Sequence, residues 1–555
     1  MNFADEDNVI AVKNDNRVVT EAASGVAFQW QGRGFNPVYG GLTRNINLYV
    51  MDPVYFTLPL YSNLKTYGTY IYPSEISTDR RTAVVNVESQ VKNDSGRSRT
   101  MKLEAVVVNK EGHAVRTVAS EPHTIPTGED YTFKAAGAMT DVHFWQPDYP
   151  YLYQVYCILK EDGRAVDVYP ITTGFRKAEF KGGYNTGGVY INNKQIYLTG
   201  YAQRSTNEWA VLGNAVPEWV TDFDGNLIRE SNANFIRSMH ISAEPADIRM
   251  TDKYGIVSLQ PAGDSEQDVT GRQWEQRVET MRDSIIYFRN SPSILFWEAG
   301  NNTITAEHMK EMRELKERLD PNGMRAVGSR GLRDPAAVDH AEFVGTMLNR
   351  HYTDYARDKV PIVESEISGA ANYYEYYKDR IQGPETSNDM YSAAAALIWA
   401  DSNQHGRNYL TENSRMSGRV DAVRIPKESF YAFRVMQNAN PDLHLVGHWS
   451  YPAGTGNVAA EMTKETTGAA AAIKLTPITG PQGLQADGED AAIFDVEVVD
   501  AEGRRLPTDQ ARVDFELTGP GEAFGGSGID PFIHSAVLVI CAALRAAWQQ
   551  TRTYV

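Results

Sequence analysis

The sequence predicts a multidomain chain built on a (β/α)8 TIM barrel flanked by β-sandwich domains, one a jelly-roll fragment and the others immunoglobulin-like. Three observations predict it. The chain has 555 residues, which at roughly 150 per domain is too long for one compact unit. After Gly188, eight short β-like runs alternate with helical periodicity across about 250 residues, the size and rhythm of such a barrel. On either side of this region, period-two alternation broken by turn residues replaces helical spacing.

Residues 1–52 read as part of a β domain, because Val9-Ile10-Ala11-Val12 and Asn45 to Val50 are short apolar or alternating runs separated by Gly-rich turns. Some fifty residues are too few for a full sandwich, so the chain is expected to begin inside one. Residues 53–176 read as an immunoglobulin-like sandwich. Val85, Val87 and Ser89 alternate with polar residues, Lys102 to Val108 and Tyr151 to Leu159 follow, and turns fall at Asn93-Asp94-Ser95-Gly96 and Glu111-Gly112.

Residues 177–440 carry the barrel pattern. Strand candidates are Ile196 to Thr199, Asn234 to Ser238, Ile256 to Leu259, Ser293 to Trp297, Met324 to Gly328, Glu342 to Met347, Val360 to Val363 and Ala395 to Trp399. Helices are expected near Pro217 to Ser231 and Pro245 to Lys253. A third is marked by Trp274, Val278, Met281, Ile285 and Phe288, which share one helical face. A fourth starts near Thr305, with Met309, Met312, Leu315 and Leu319 on one side, and stops at Pro321-Asn322-Gly323. A Gly-, Ala- and Thr-rich stretch from Ala453 to Ala472 reads as a connection inside a C-terminal immunoglobulin-like region, 441–528. Residues 529–555 fit neither pattern and stay unassigned.

Composition removes several functional classes. The formal net charge is −17, so there is no cationic excess to neutralise a phosphate backbone, and a nucleic-acid partner is not expected. The longest apolar run, Pro531 to Leu544, falls short of the roughly 20 residues of a membrane span. Cys157 and Cys541 lack zinc or redox spacing. The segment MNFADEDNVIAVKND has no apolar signal core, and a periplasmic or extracellular location would need a signal ahead of this chain.

In a (β/α)8 barrel the reacting groups sit at the C-terminal strand ends. Two candidate ends are rich in acids and amides: Trp297-Glu298-Ala299-Gly300-Asn301-Asn302 and Glu364-Ser365-Glu366-Ile367. Two carboxyl groups across a glycosidic bond are what its hydrolysis requires, about 5–5.5 Å apart for retention and ~6.5–9.5 Å for inversion. Read without any relative, Glu364 and Glu366 could equally be a solvated pair, His240 a hydrogen-bonded core histidine and Trp399 pure packing. Tyr373 to Tyr377 could line a glycan site or lie on a half-buried helix face.

Over residues 9 to 450 the chain resembles glycoside hydrolase family 2, the β-galactosidase and β-glucuronidase group. The resemblance rests on Tyr39-Gly40-Gly41-Leu42-Thr43-Arg44, on FWQPDYPYLY from Phe144 to Tyr153, and on Gly174-Phe175-Arg176. YINNKQIYLTG from Tyr190, NANFIRSMH from Asn232 and FRNSPSILFW from Phe288 complete it. It implies a retaining exo-β-glycosidase, most simply a β-galactosidase acting on polysaccharide-derived oligosaccharides. Glu366 takes the nucleophile's position, and Asn301 that of the amide on the sugar 2-hydroxyl. Arg237 and His240 line the pocket, Trp399 is the stacking residue and Asn302 a further substrate contact. Homo-oligomers are common in the family.

One position departs from the pattern. Asn302 stands where the family has the acid/base Glu, and an amide cannot protonate a leaving oxygen. Glu298 as substitute acid, a carboxylate or histidine from elsewhere such as His351, and an inactive chain that only binds carbohydrate remain open. Leu259-Gln260-Pro261-Ala262-Gly263 also lacks the acid that holds magnesium in some members, so no metal and no cofactor are expected.

Overall fold

The computed structural model describes residues 9, 11–13, 41–42, 46–183, 187–204, 215–263, 268–332, 334–347, 355–367, 391–401, 417–437, 468–485, 490–506, 513, 518, 521–524 and 536–542. Within these, parallel strands close into an eight-stranded barrel. They are β1 (Leu198–Arg204), β2 (Phe235–Met239), β3 (Val257–Pro261), β4 (Ile294–Glu298), β5 (Ala326–Arg330), β6 (Phe343–Thr346), β7 (Ile362–Ile367) and β8 (Tyr391–Leu397). Strands β2 to β6 are buried at every residue, as expected when a parallel sheet is covered on both faces. Closure between β8 and β1 runs through Gly200, which pairs with Ala395 on one side and Phe235 on the other. A Cβ at Gly200 would stand 1.8 Å from the Phe235 carbonyl oxygen, so the first two strands can meet only at glycine.

The covering helices are α1 (Glu218–Glu230), α2 (Pro245–Tyr254), α3 (Arg272–Phe288), α4 (Ala306–Leu319), the short α5 (Pro335–Val338) and α6 (Glu428–Met436). Local chemistry sets their ends. Pro245 opens α2 behind a Glu244/Asp247 capping box, and Gly255 closes it in the left-handed conformation at φ 69°. Thr305 caps α4 by accepting the His308 N–H at 3.3 Å. The apolar stripes of α3 and α4, including Trp274, Met281, Ile285, Met309, Met312 and Leu315, pack with Trp297 and Val327 into one buried cluster. Inside the barrel, Phe235, Phe296, Phe343 and Val363 fill the lower layer. A three-stranded sheet (Ala178–Lys181, Gly188–Ile191, Lys194–Ile196) closes that end with Phe180 against Phe296, ring centroids 5.5 Å apart.

Before the barrel, two antiparallel sheets enclose a common core that includes Val85, Val87, Leu103, Val107, Phe133 and Cys157. The alternating burial of Thr82–Asn93 and Arg99–Val108 is the period-two signature of strands with one solvated face. After the barrel lies a four-stranded antiparallel sheet in the order Ala472–Ile478, Ala491–Val499, Ala536–Ala542, Gly521–Phe524.

One expectation differs from this. The tail contributes Ala536–Ala542, registered against Ala491–Val496, so the apolar run from Pro531 supplies a strand rather than standing outside the pattern. A short continuous apolar run has no period by which a sheet-core strand can be told from a helix. Most of the β domain expected over residues 1–52 lies outside the described residues; of the first fifty, those described (Val9, Ala11–Lys13, Gly41–Leu42 and Ile46–Val50) are exposed. Among the described residues, no helix is long and apolar enough to cross a membrane.

Candidate active site

The expected site residues converge at the C-terminal mouth of the barrel. Arg237 lies on β2 with His240 just beyond it. Glu298 ends β4, with Asn301 and Asn302 in the following turn, Glu364 and Glu366 lie on β7, and Trp399 follows β8. Arg237 is the hub. Its Nε donates to both oxygens of Glu298 at 3.1 Å, and its Nη2 to Glu298 Oε2 and to Asn301 Oδ1 at 2.7 Å each. Its Nη1 donates to Glu366 Oε2 at 3.2 Å.

A second cation, which the sequence analysis did not single out, completes the arrangement. Arg330 ends β5 and donates from Nη1 to the same Glu366 Oε2 at 2.7 Å and to Met347 Sδ at 3.0 Å. Its Nη2 donates to Asn302 Oδ1 at 3.3 Å, and its Nε to the Asn301 carbonyl. The end of β5 also builds the turn that carries both asparagines: Ser329 Oγ donates to the Gly300 and Asn302 carbonyls at 2.8 and 2.9 Å, and the Arg330 N–H to Gly300 at 3.1 Å. The signal that could have found Arg330 was the one used for the acids, a charged residue at a strand's C-terminal end in Val327-Gly328-Ser329-Arg330-Gly331.

These contacts give the three carboxylates different environments. Glu366 accepts both guanidiniums on Oε2, whereas Oε1 takes no hydrogen bond from a described residue; the side chain keeps 11% of its exposure. Glu298 is 0% exposed and locked against Arg237. Glu364 is buried and accepts the Thr346 hydroxyl at 2.7 Å. Because Asn301 Oδ1 is taken by Arg237, its Nδ2 is left as a buried donor that no described residue satisfies. His240 is buried beside β2.

Trp399 is placed differently from the expectation of a stacking platform. It is 1% exposed, with its ring 5.0 Å from Tyr201 and 6.2 Å from Phe430. Its indole N–H donates to Asp224 of α1 at 3.1 Å, a carboxylate that Arg424 clamps at 2.9 and 3.1 Å. An indole with a buried partner for its only polar atom is pinned in the wall between barrel and helix, and its faces are taken by aromatic rings. Burial pushes the Tyr201 phenol beside it up to about 12. His351 and Tyr373 to Tyr377 lie outside the described residues. Among the described residues, no cluster of three or more His, Cys, Asp or Glu is arranged to hold a metal ion.

Comparison with known proteins places this geometry in context. The family model described as glycosyl hydrolases family 2, TIM barrel domain, matches residues 185–386. The model glycosyl hydrolases family 2 matches 68–176, and glycoside hydrolase family 2 C-terminal domain 5 matches 475–537. A β-glucuronidase of Formosa agariphila is 34% identical over 94% of this chain and 61% of its own length. A β-galactosidase of Thermoanaerobacter pseudethanolicus is 28% identical over 63% of this chain and 48% of its own. Among solved structures, a β-glucuronidase from glycoside hydrolase family 2 superposes with a TM-score of 0.82 at 31% identity, over 96% of this chain and 65% of that one. The chain thus spans less than two thirds of each of these relatives.

Proposed function

We propose that this chain, which belongs to glycoside hydrolase family 2, is the barrel-bearing part of a retaining exo-β-glycosidase with Glu366 as its nucleophile. The observation that carries the reading is the asymmetry of Glu366. Two guanidiniums hold one oxygen and leave the other without a hydrogen bond from a described residue, as attack on an anomeric carbon requires. Asn301 Nδ2 would donate to the sugar 2-hydroxyl, a bond that strengthens as the oxocarbenium-like transition state forms. Arg237 orients both Glu366 and Asn301, and Glu298 is best read as its counter-ion. A fully buried carboxylate gripped by two guanidinium nitrogens has neither the proton nor the access a leaving oxygen needs.

For the sugar, the relative that shares 34% over nearly the whole chain is named a β-glucuronidase, and the β-galactosidase shares 28% over less of it. That ordering favours a β-D-glucuronide as substrate. The β-galactoside is the second reading, supported by the β-galactosidases among the relatives.

The test is turnover of aryl β-D-glucuronide and aryl β-D-galactoside by the chain and by its Glu366→Gln variant, with product anomers followed by NMR. The variant should lose at least about a thousandfold in kcat with its circular dichroism intact, and the first product should keep the β configuration. A folded wild-type chain that binds these sugars without turning them over, and whose Glu366 is never labelled by a 2-deoxy-2-fluoro glycosyl fluoride, would be a carbohydrate-binding protein instead.

A further inference from the structure

Retaining hydrolysis asks for a second carboxylate that protonates the leaving oxygen and then takes a proton from water. The described surroundings of Glu366 supply charge of the opposite sign. Arg237 and Arg330 converge on it from β2 and β5, and Arg330 joins it to the Asn302 amide with a single guanidinium, 2.7 Å to one and 3.3 Å to the other. Glu298 is taken by Arg237, and Glu364 accepts from Thr346. A carboxylate beside the nucleophile would activate water and also repel an anion; a guanidinium paired with an amide does neither.

We infer that the glycosyl group carried by Glu366 is discharged onto a small anionic acceptor, with inorganic phosphate as the representative, and that Arg330 and Asn302 form the acceptor side of the pocket. This rests on the reading of Glu366 as nucleophile. In the step, an unprotonated oxygen of hydrogen phosphate gives its electron pair to the anomeric carbon. The bond from that carbon to Glu366 Oε1 breaks, and its pair returns to the carboxylate. The products are a glycosyl phosphate and free Glu366, and no proton has to be removed from the acceptor. In the preceding half-reaction, a dinitrophenolate leaving group departs with its own electron pair and needs no acid.

The experiment follows release of dinitrophenolate from 2,4-dinitrophenyl β-D-glucuronide and β-D-galactoside, in buffer with chloride and with phosphate or azide at equal ionic strength. The expected result is a burst and a slow steady state in chloride. Phosphate and azide should raise that steady state about tenfold or more, with β-glycosyl phosphate or azide identified by NMR. Asn302→Glu should raise hydrolysis in chloride by roughly 10²- to 10⁴-fold and abolish the anion effect. Arg330→Met, which also takes one cation from Glu366, should slow the burst and lower the share of β-glycosyl phosphate among the products formed from the glycosyl-enzyme. A burst followed by a steady state indifferent to both anions overturns this inference and leaves Glu366 as nucleophile. Absence of both a burst and a labelled Glu366 peptide overturns the two together.

Discussion

Arg237 is wholly buried and carries two carboxylates on one planar fork, Glu298 through Nε and Nη2 and Glu366 through Nη1. Lysine could not reproduce that geometry, because a single ammonium cannot span three acceptors in one plane. Desolvating such a group is costly, and its removal is costlier, since it strands the partners. Arg237→Met should therefore lower the stability of the barrel by about 3–5 kcal/mol, read as the urea midpoint of its tryptophan fluorescence. If Glu298 serves as counter-ion, Glu298→Gln in that background should recover about 1–3 kcal/mol, because a neutral amide no longer needs the cation. Additive losses in the double variant would mean that Glu298 has a role of its own.

At the scale of the element, α2 is fastened to the barrel by a carboxylate with no cation directly on it. Asp252 Oδ1 accepts the Ser293 N–H at 3.0 Å, just ahead of β4, and the Asp252 carbonyl accepts the Trp145 indole at 2.9 Å. Burial pushes the carboxyl up to about 6 against its ordinary 3.8, with the hydrogen bonds from Ser293 opposing. Well below pH 3.8 folded and unfolded chains both hold this proton. Between about 4 and 6 the unfolded chain gives it up first, so this group's contribution to stability falls as pH rises and is then constant. The loss corresponds to roughly 3 kcal/mol, and Asp252→Asn should remove it. The stability difference between variant and wild type should grow in the variant's favour from pH 4 to 6.5; a difference independent of pH would refute the assignment.

The same scale shows what the sequence made legible. Helices α1 to α4 could be read from their amphipathic stripes and chemical stops, such as Pro245 and Gly255 for α2 and Thr305 and Pro321 for α4, whereas the short α5 and α6 were not expected. The strands could be read because short apolar runs fall between those helices. Their ends slipped: β8 was expected at 395 to 399 and runs Tyr391–Leu397, since its Ala393 to Ala396 run has no period to anchor a register. Residues such as Glu366 and Asn301 came from motif order, whereas Arg330 and the burial of Trp399 depend on which side chains meet across strands far apart in sequence. The Asp224 that pins Trp399 lies 175 positions away, a distance no local pattern spans.

In the whole molecule, the barrel is tied to the β structure on each side by a few buried polar side chains. Toward the C-terminal sheet, Trp219 of α1 donates to Asp490 at 2.6 Å, and Val220 packs with Ala491 and Ile493. Toward the preceding sandwich one tie, beside the Trp145–Asp252 bond, is Arg176, just ahead of the three-stranded sheet that closes the barrel. It is fully buried and donates to the carbonyls of Pro292 at 2.7 Å, Ile294 at 2.9 Å, and Gly323 and Met324 at 3.3 Å. Burial draws its pKa down to about 9, so it keeps its charge at neutral pH and must be held by carbonyl dipoles. Those four carbonyls flank the starts of β4 and β5, so losing the guanidinium frees the sandwich and loosens the bottom of the barrel together. Arg176→Met should split thermal unfolding into two calorimetric transitions, the first about 5–10 °C below that of the wild type. Trp219→Phe, which removes one hydrogen bond on the opposite side, should leave the coupling of sandwich and barrel unchanged. A single undivided transition for Arg176→Met, lowered no more than that of Trp219→Phe, would show that packing alone joins the domains.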